Sequence, residues 1–200
     1  MTKTLWIAAF AAVFIWSAID PKDRFTWFLE VVPAIIAAIA LAATYQRFRF
    51  TPLAYGLILF HAFILMIGGH YTYAEVPLFD QLSELFNGSR NNYDKLGHLT
   101  QGFVPAIVAR EIIIRNRIIT GPRWQHFFVV CFCLALSALY ELIEWWVALA
   151  TGTGAEAFLG TQGYVWDTQS DMGYALLGAV LGLVLLGRVH DREIGALGEG

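Results

Sequence analysis

The chain has 200 residues, 58% of them hydrophobic and 14% charged, with a mean hydropathy of +0.57. A soluble domain carries about a quarter charged residues, and a chain this apolar cannot hide its surface in one globular core, so lipid is the expected solvent. The net charge of −3, with no basic cluster, gives no ground for a nucleic-acid partner.

In chain order, MTK followed by LWIAAFAAVFIWSAI has the outline of a cleavable leader. Ala18 suits the residue before a cut, but bulky Trp16 occupies the other small-residue place, so a retained first helix is expected. Six apolar stretches follow one another at about 4–19, 27–45, 53–69, 95–115, 124–150 and 169–187. Most approach the roughly 20 residues that span a bilayer. The first and third are short, which tilt or local thinning accommodates. Pro33 and Pro105 fall inside helices, where a membrane bundle tolerates them. Cys131 and Cys133, two apart on a helix, point away from each other and read as small buried hydrophobes. With no repeat and no low-complexity tract, residues 1–200 read as one all-α integral membrane domain, a bundle of six transmembrane helices.

Lysine and arginine placement sets the orientation. Lys3, Arg47, Arg49, Arg115, Arg117, Arg123, Arg188 and Arg192 gather on one side, against Lys22, Arg24, Arg90 and Lys95 on the other. Both termini are therefore expected in the cytoplasm. In a bacterium, the loops around 20–26, 70–93 and 151–168 then face the periplasm. Trp124, Trp145, Trp146 and Trp166 fall at the expected interfaces.

The polar residues that enter these helices gather on the periplasmic side. The third segment ends at GGHYTY with His70 and Tyr73, and the fourth begins at NNYDKLGHLTQGF with Asp94, Lys95 and His98. The fifth carries Glu141 and Glu144 in YELIEWW, and the sixth starts in VWDTQSDMGYALLGAVLG with Asp167 and Asp171. At about 100° per residue, Asp94, His98, Gln101 and Pro105 share a stripe, and Glu141 and Glu144 lie one turn apart. Asp167 and Asp171 share a face that continues into Gly178 and Gly182, small residues that let helices approach closely. Each residue has a plainer reading: Asp94 and Asp167 as helix caps, His70 closing its helix, Glu144 looking into water. Convergence of four helices favours a shared site, because an unpaired intramembrane charge costs several kcal/mol.

Other candidates carry less. His61 is out of phase with His70 and reads as a hydrogen-bonded packing residue; His126 and His190 read as interface or tail residues. Arg110 and Glu111 are expected to snorkel from the inner end of the fourth helix. TGTGAEAFLGTQGY lacks the lysine and strand context of a phosphate loop, and Ser137, one turn before Glu141, is weak support for a nucleophile.

Two imidazoles and several carboxylates suit a divalent cation such as Zn, Mn, Fe or Mg. The expected ligands are His70, Asp94, His98, Asp167 and Asp171, with Glu141 and Glu144 as the catalytic acid–base pair. The stretch LFDQLSELF (78–86) reads as a short amphipathic helix with Leu78, Phe79, Leu82, Leu85 and Phe86 on one side, either a lid or lipid entrance on the membrane surface or equally a plain interfacial connector. The expected function is a metal-dependent hydrolase or transferase on a lipid or lipid-linked substrate. The alternatives are a cation or proton transporter and a non-catalytic structural or accessory membrane protein.

The ordered motifs GGHYTYAEVP, NNYDKLGHLTQGFVPAIVAREI, SALYELIEWW and FLGTQGYVWDTQSDMGYALLGA resemble the YjdF family of bacterial inner-membrane proteins. A more distant similarity is to VanZ-like membrane proteins, with Asp94, Lys95 and His98, then Glu141 or Glu144, then Asp167, Asp171, Gly178 and Ala179 in matching places. This chain has Asp171 where Asn or Asp is expected there, and lacks a clear arginine before the last acid. The resemblance implies the fold, the inner-membrane location and the choice of residues, and brings no reaction or substrate with it.

Overall fold

Side-chain caps start the first three helices of the computed structural model. Thr2 Oγ1 accepts from Leu5 N before α1 (Lys3–Ala18), and Thr51 Oγ1 accepts from Ala54 N before α3 (Pro52–Tyr71). Between them, Asp23 Oδ1 accepts from Thr26 N at 2.7 Å before α2 (Arg24–Thr44). That bond holds the Asp23 carboxyl below its usual value. A 3-10 turn (Tyr73–Glu75) leads into α4 (Pro77–Leu85), followed by α5 (Tyr93–Arg115), α6 (Pro122–Thr151), a short α7 (Glu156–Leu159) and α8 (Asp167–Gly198). The structure describes residues 2–86, 88, 90–152 and 156–198. Thr153, Gly154 and Ala155 of the glycine-rich stretch lie outside the described residues.

Helices α2, α3, α6 and α8 are long and apolar enough to cross a membrane. Ile36, Ile39, Phe128 and Leu185 stand exposed on them, as a lipid-facing surface requires. Helix α1 has 16 residues, and α5 has 23 but carries charges at both ends. Pro33 and Pro105 sit inside α2 and α5. Cys133 is buried while Cys131 is exposed, so the two diverge and only one is a core residue.

The central pair is α5 against α8, and glycine makes it possible. A Cβ on Gly102 would lie 1.8 Å from the Ala175 carbonyl oxygen, and one on Gly178 would lie 2.0 Å from that of Leu99. Gly182 faces the Phe103 carbonyl in the same seam. Backbone touches backbone here, so a methyl has nowhere to go. Gly102→Ala should cost at least about 1–3 kcal/mol, the usual range for overpacking, read as a lower unfolding midpoint in detergent. A midpoint equal to that of the parent would overturn the close approach.

The start of α3 and the C-terminal halves of α5 and α8 are tied by a buried polar network. Glu111 Oε1 accepts from Thr51 N at 2.9 Å and Arg115 Nη1 at 2.8 Å. Its Oε2 accepts from Thr51 Oγ1 at 2.8 Å and lies 3.0 Å from His190 Nε2. His190 Nδ1 faces Arg110 Nη1 at 3.2 Å, so Nε2 is the protonated nitrogen of a neutral ring. Glu111 and His190 are fully buried and Arg110 nearly so. This corrects the expectation that Arg110 and Glu111 snorkel and that His190 belongs to a tail. It also explains why α8 continues well past 187: Asp191 pairs with Arg110, and Glu193 accepts from Leu53 N. Partners on neighbouring helices satisfy charges that would otherwise end the span.

Candidate functional site

At the opposite end of the bundle, two first turns meet. Asp94, Lys95 and His98 open α5, Asp167 and Asp171 open α8, and all are buried. The glycine seam below brings these turns close enough for Lys95 Nζ to donate to both Asp167 Oδ1 (2.7 Å) and Asp171 Oδ1 (2.6 Å). Arg90 pairs with Asp167 as well, and lies 3.7 Å from Asp94 Oδ2. From α6, Glu141 and Glu144 enter from the side, both buried.

His98 is the pivot. One ligand atom each from Asp94, His98 and Asp171 lies within 4.8 Å of the others, and the same holds for His98, Glu141 and Glu144. His98 Nδ1 lies 3.0 Å from Gln101 Oε1, a bond in which the ring donates. With that proton placed, Nε2 faces Asp94 Oδ1 at 3.4 Å and Glu141 Oε1 at 3.7 Å. A lone pair aimed at two carboxylates is repulsive unless a proton or a cation lies between them. Asp94 Oδ2 and Glu141 Oε1 are also buried without a hydrogen-bond partner among the described residues. Unpartnered carboxylate oxygens are costly in a dry setting.

A sixth carboxyl joins from α2. Glu30 is 2% exposed and accepts from Tyr140 Oη at 3.1 Å. Permanent cations are outnumbered: Arg90 and Lys95 stand against Glu30, Asp94, Glu141, Glu144, Asp167 and Asp171. So large an excess of carboxyls, away from water, calls for protons or for a bound cation.

A polar roof covers the cluster. Arg90 Nη1 donates to the Thr161 carbonyl at 2.7 Å, while Asn91 N donates to Gln162 Oε1 and Gln162 Nε2 returns a bond to the Asn91 carbonyl. Asn91 Nδ2 also ties down Val76 and Asp80 at the start of α4. The Tyr164 ring lies 5.3 Å from the Arg90 guanidinium and 5.7 Å from Lys95 Nζ. On α4, Leu78, Leu82, Leu85 and the following Phe86 are exposed, whereas Phe79 packs on Tyr93. Phe79 thus parts from the other apolar residues of this stretch and faces the protein.

Of the seven residues singled out in the sequence, six gather here and His70 does not. Its Nδ1 lies 3.2 Å from the Ser17 carbonyl and its ring packs, tilted by 34°, against Trp16 with centroids 4.5 Å apart, so it fastens α3 to α1. Asp167 enters the group through its ion pairs with Arg90 and Lys95. His61 corrects a second expectation, because its Nε2 is buried without a hydrogen-bond partner among the described residues. Sequence reading missed Glu30, Tyr140 and the roof residues Asn91 and Gln162. Glu30 had a signal: an acid inside the otherwise apolar FLEVVPAIIAAIALA.

The comparisons with known proteins agree with this picture at the level of family. A family model described as "Predicted membrane protein (DUF2238)" matches residues 2–192. The inner membrane protein YjdF of Escherichia coli (strain K12) is 53% identical over 186 residues, which cover 93% of this chain and 89% of that protein. No solved structure matches.

Proposed function

The chain belongs to the DUF2238 family of membrane proteins, and on that premise we propose that its polar cluster is a divalent-cation site. The site serves a metal-dependent hydrolase or transferase working on a lipid or lipid-linked substrate at the periplasmic face of the inner membrane. The supporting observation is His98 Nε2 aimed at Asp94 Oδ1 and Glu141 Oε1, with Glu141 Oε1 and Asp94 Oδ2 buried without hydrogen-bond partners among the described residues.

His98, Asp94 and Asp171 form the proposed ligand set. Lys95 occupies only one oxygen of Asp171, which leaves the other for a cation. The bond from Nδ1 to Gln101 fixes the ring as a ligating histidine needs. A cation bound there supplies Lewis acidity toward a substrate oxygen and toward water. Glu141 and Glu144 hold and move the proton, one turn apart on α6. An apolar hollow of about 450 Å³, lined by Ile64, Tyr71, Leu78, Tyr93 and Leu96, gives an acyl chain room beside the site.

The accompanying topology has six crossings with both termini in the cytoplasm. Lys3, Arg47, Arg49, Arg115, Arg117, Arg123, Arg188 and Arg192 lie at helix ends opposite the cluster or in the loops joining them. Helix α1, at roughly 24 Å of rise, is the short one. A transport pathway would need polar groups along the bundle, but Val104, Ala106, Ile107, Val129 and Ala179 separate the outer cluster from the Glu111 network.

A second reading is favoured by one observation: Lys95 already pairs with Asp167 and Asp171, as a purely structural cluster would. Metal analysis of protein purified without added chelator separates the two. About one divalent cation per chain is expected, lost from His98→Ala. Metal-free protein whose melting temperature does not respond to added Zn²⁺, Mn²⁺, Fe²⁺ or Mg²⁺ would leave the structural reading standing alone.

A further inference from the structure

The larger cavity lies at the other end of the bundle, far from the carboxyl cluster. Helices α1 and α2 meet near their outer ends, where Trp27 Nε1 donates to Ser17 Oγ at 3.1 Å and Phe14 packs on Trp27. Toward the inner end a groove of about 540 Å³ opens between them, floored by α3 and bounded by Leu197 of α8. This lies within the range of roughly 300–1,000 Å³ typical of small-molecule sites.

Its chemistry is divided along its length. Trp6, Ile7, Ala38 and Leu41 form apolar walls, and the Trp6 indole is fixed by donating to the Tyr55 carbonyl at 2.8 Å. At the mouth, Lys3 Nζ lies 4.4 Å from the centre of the Tyr45 ring and the Arg49 guanidinium 5.0 Å from it. Two cations thus share one aromatic ring at the head of an apolar channel. Neither Lys3 nor Arg49 has a carboxylate ion-pair partner among the described residues. Basic pockets between helices at a cytoplasmic interface suit anionic headgroups, and the apolar walls below suit an acyl chain.

We infer that this groove binds an anionic phospholipid of the inner leaflet, its phosphate between Lys3 and Arg49 and one acyl chain along Trp6, Ile7, Ala38 and Leu41. The site is separate from the carboxyl cluster and does not depend on the cluster holding a metal. A bound lipid would fill the space between α1 and α2 and complete the packing of the shortest membrane helix.

The test is native mass spectrometry of the full chain released from nanodiscs of mixed phosphatidylethanolamine and phosphatidylglycerol. One phosphatidylglycerol should remain on the protein in preference to phosphatidylethanolamine. Lys3→Ala/Arg49→Ala should reduce that retention about tenfold while leaving the circular dichroism spectrum unchanged, since both side chains are exposed. Ala38→Trp, which fills the apolar part, should reduce it with the cations intact. Retention of the two lipids in proportion to their abundance would overturn the inference. So would phosphatidylglycerol retention that neither variant changes.

Discussion

Lys95→Met should destabilise the protein by about 3–5 kcal/mol, the cost of removing one partner from a buried ion pair, read as a lower unfolding midpoint in detergent. The side chain is almost fully buried and its ammonium is the shared donor to Asp167 and Asp171. Methionine keeps most of the volume and removes the charge, leaving those two carboxylates with Arg90 on Asp167 and the His98 ring near Asp171. Neutralising both acids in Lys95→Met/Asp167→Asn/Asp171→Asn should recover much of the loss, because the uncompensated charge goes with them. Divalent cation added to Lys95→Met provides a second comparison. A cation-binding cluster gains stability from it, whereas a cluster that only fixes helix register does not respond. A Lys95→Met protein as stable as the parent would show that water reaches the acids, and the buried pairing would have to be abandoned.

Much of this was legible in the sequence because apolar runs and the positions of charges within them are local signals. The capping residues Thr2, Asp23 and Thr51 emerged only with the structure, whereas the apolar runs and the prolines inside α2 and α5 could be read directly. So could the meeting of Asp94, His98, Glu141, Glu144, Asp167 and Asp171, since helices that begin or end on one side bring such residues to one depth. What could not be read was rotation. His70 stands at the right depth but turns toward Ser17 and Trp16 on α1. Glu30 stands on a helix taken as purely apolar and turns into the cluster, where Tyr140 meets it. The face a helix presents depends on close packing such as that of Gly102 and Gly178 against opposing carbonyls, and spacing within one helix does not specify its neighbour. The same limit hid the inner network: Glu111 and His190 are 79 positions apart, and each alone resembles an ordinary charge at a membrane boundary.

Glu111→Ala should cost about 3–5 kcal/mol, and it tests whether the two ends of the bundle are mechanically independent. The carboxylate receives the Thr51 backbone and hydroxyl, Arg115 and His190, so alanine strips partners from α3, α5 and α8 at once. Asp191→Ala is the control. Its side chain is 60% exposed but the Arg110 it pairs with is almost buried, so its loss should cost about 1–3 kcal/mol, less than Glu111→Ala. Between Glu111 and His98 lies the glycine seam, where Gly102, Gly178 and Gly182 hold the α5 and α8 backbones in register. That seam should keep Lys95, Asp167 and Asp171 in place even when the inner network is broken. Glu111→Ala is therefore expected to unfold at a lower temperature while retaining the divalent-cation binding proposed for the parent. If metal content falls in step with stability, register is set at the inner end and carried outward along α8, and the seam is a passive contact.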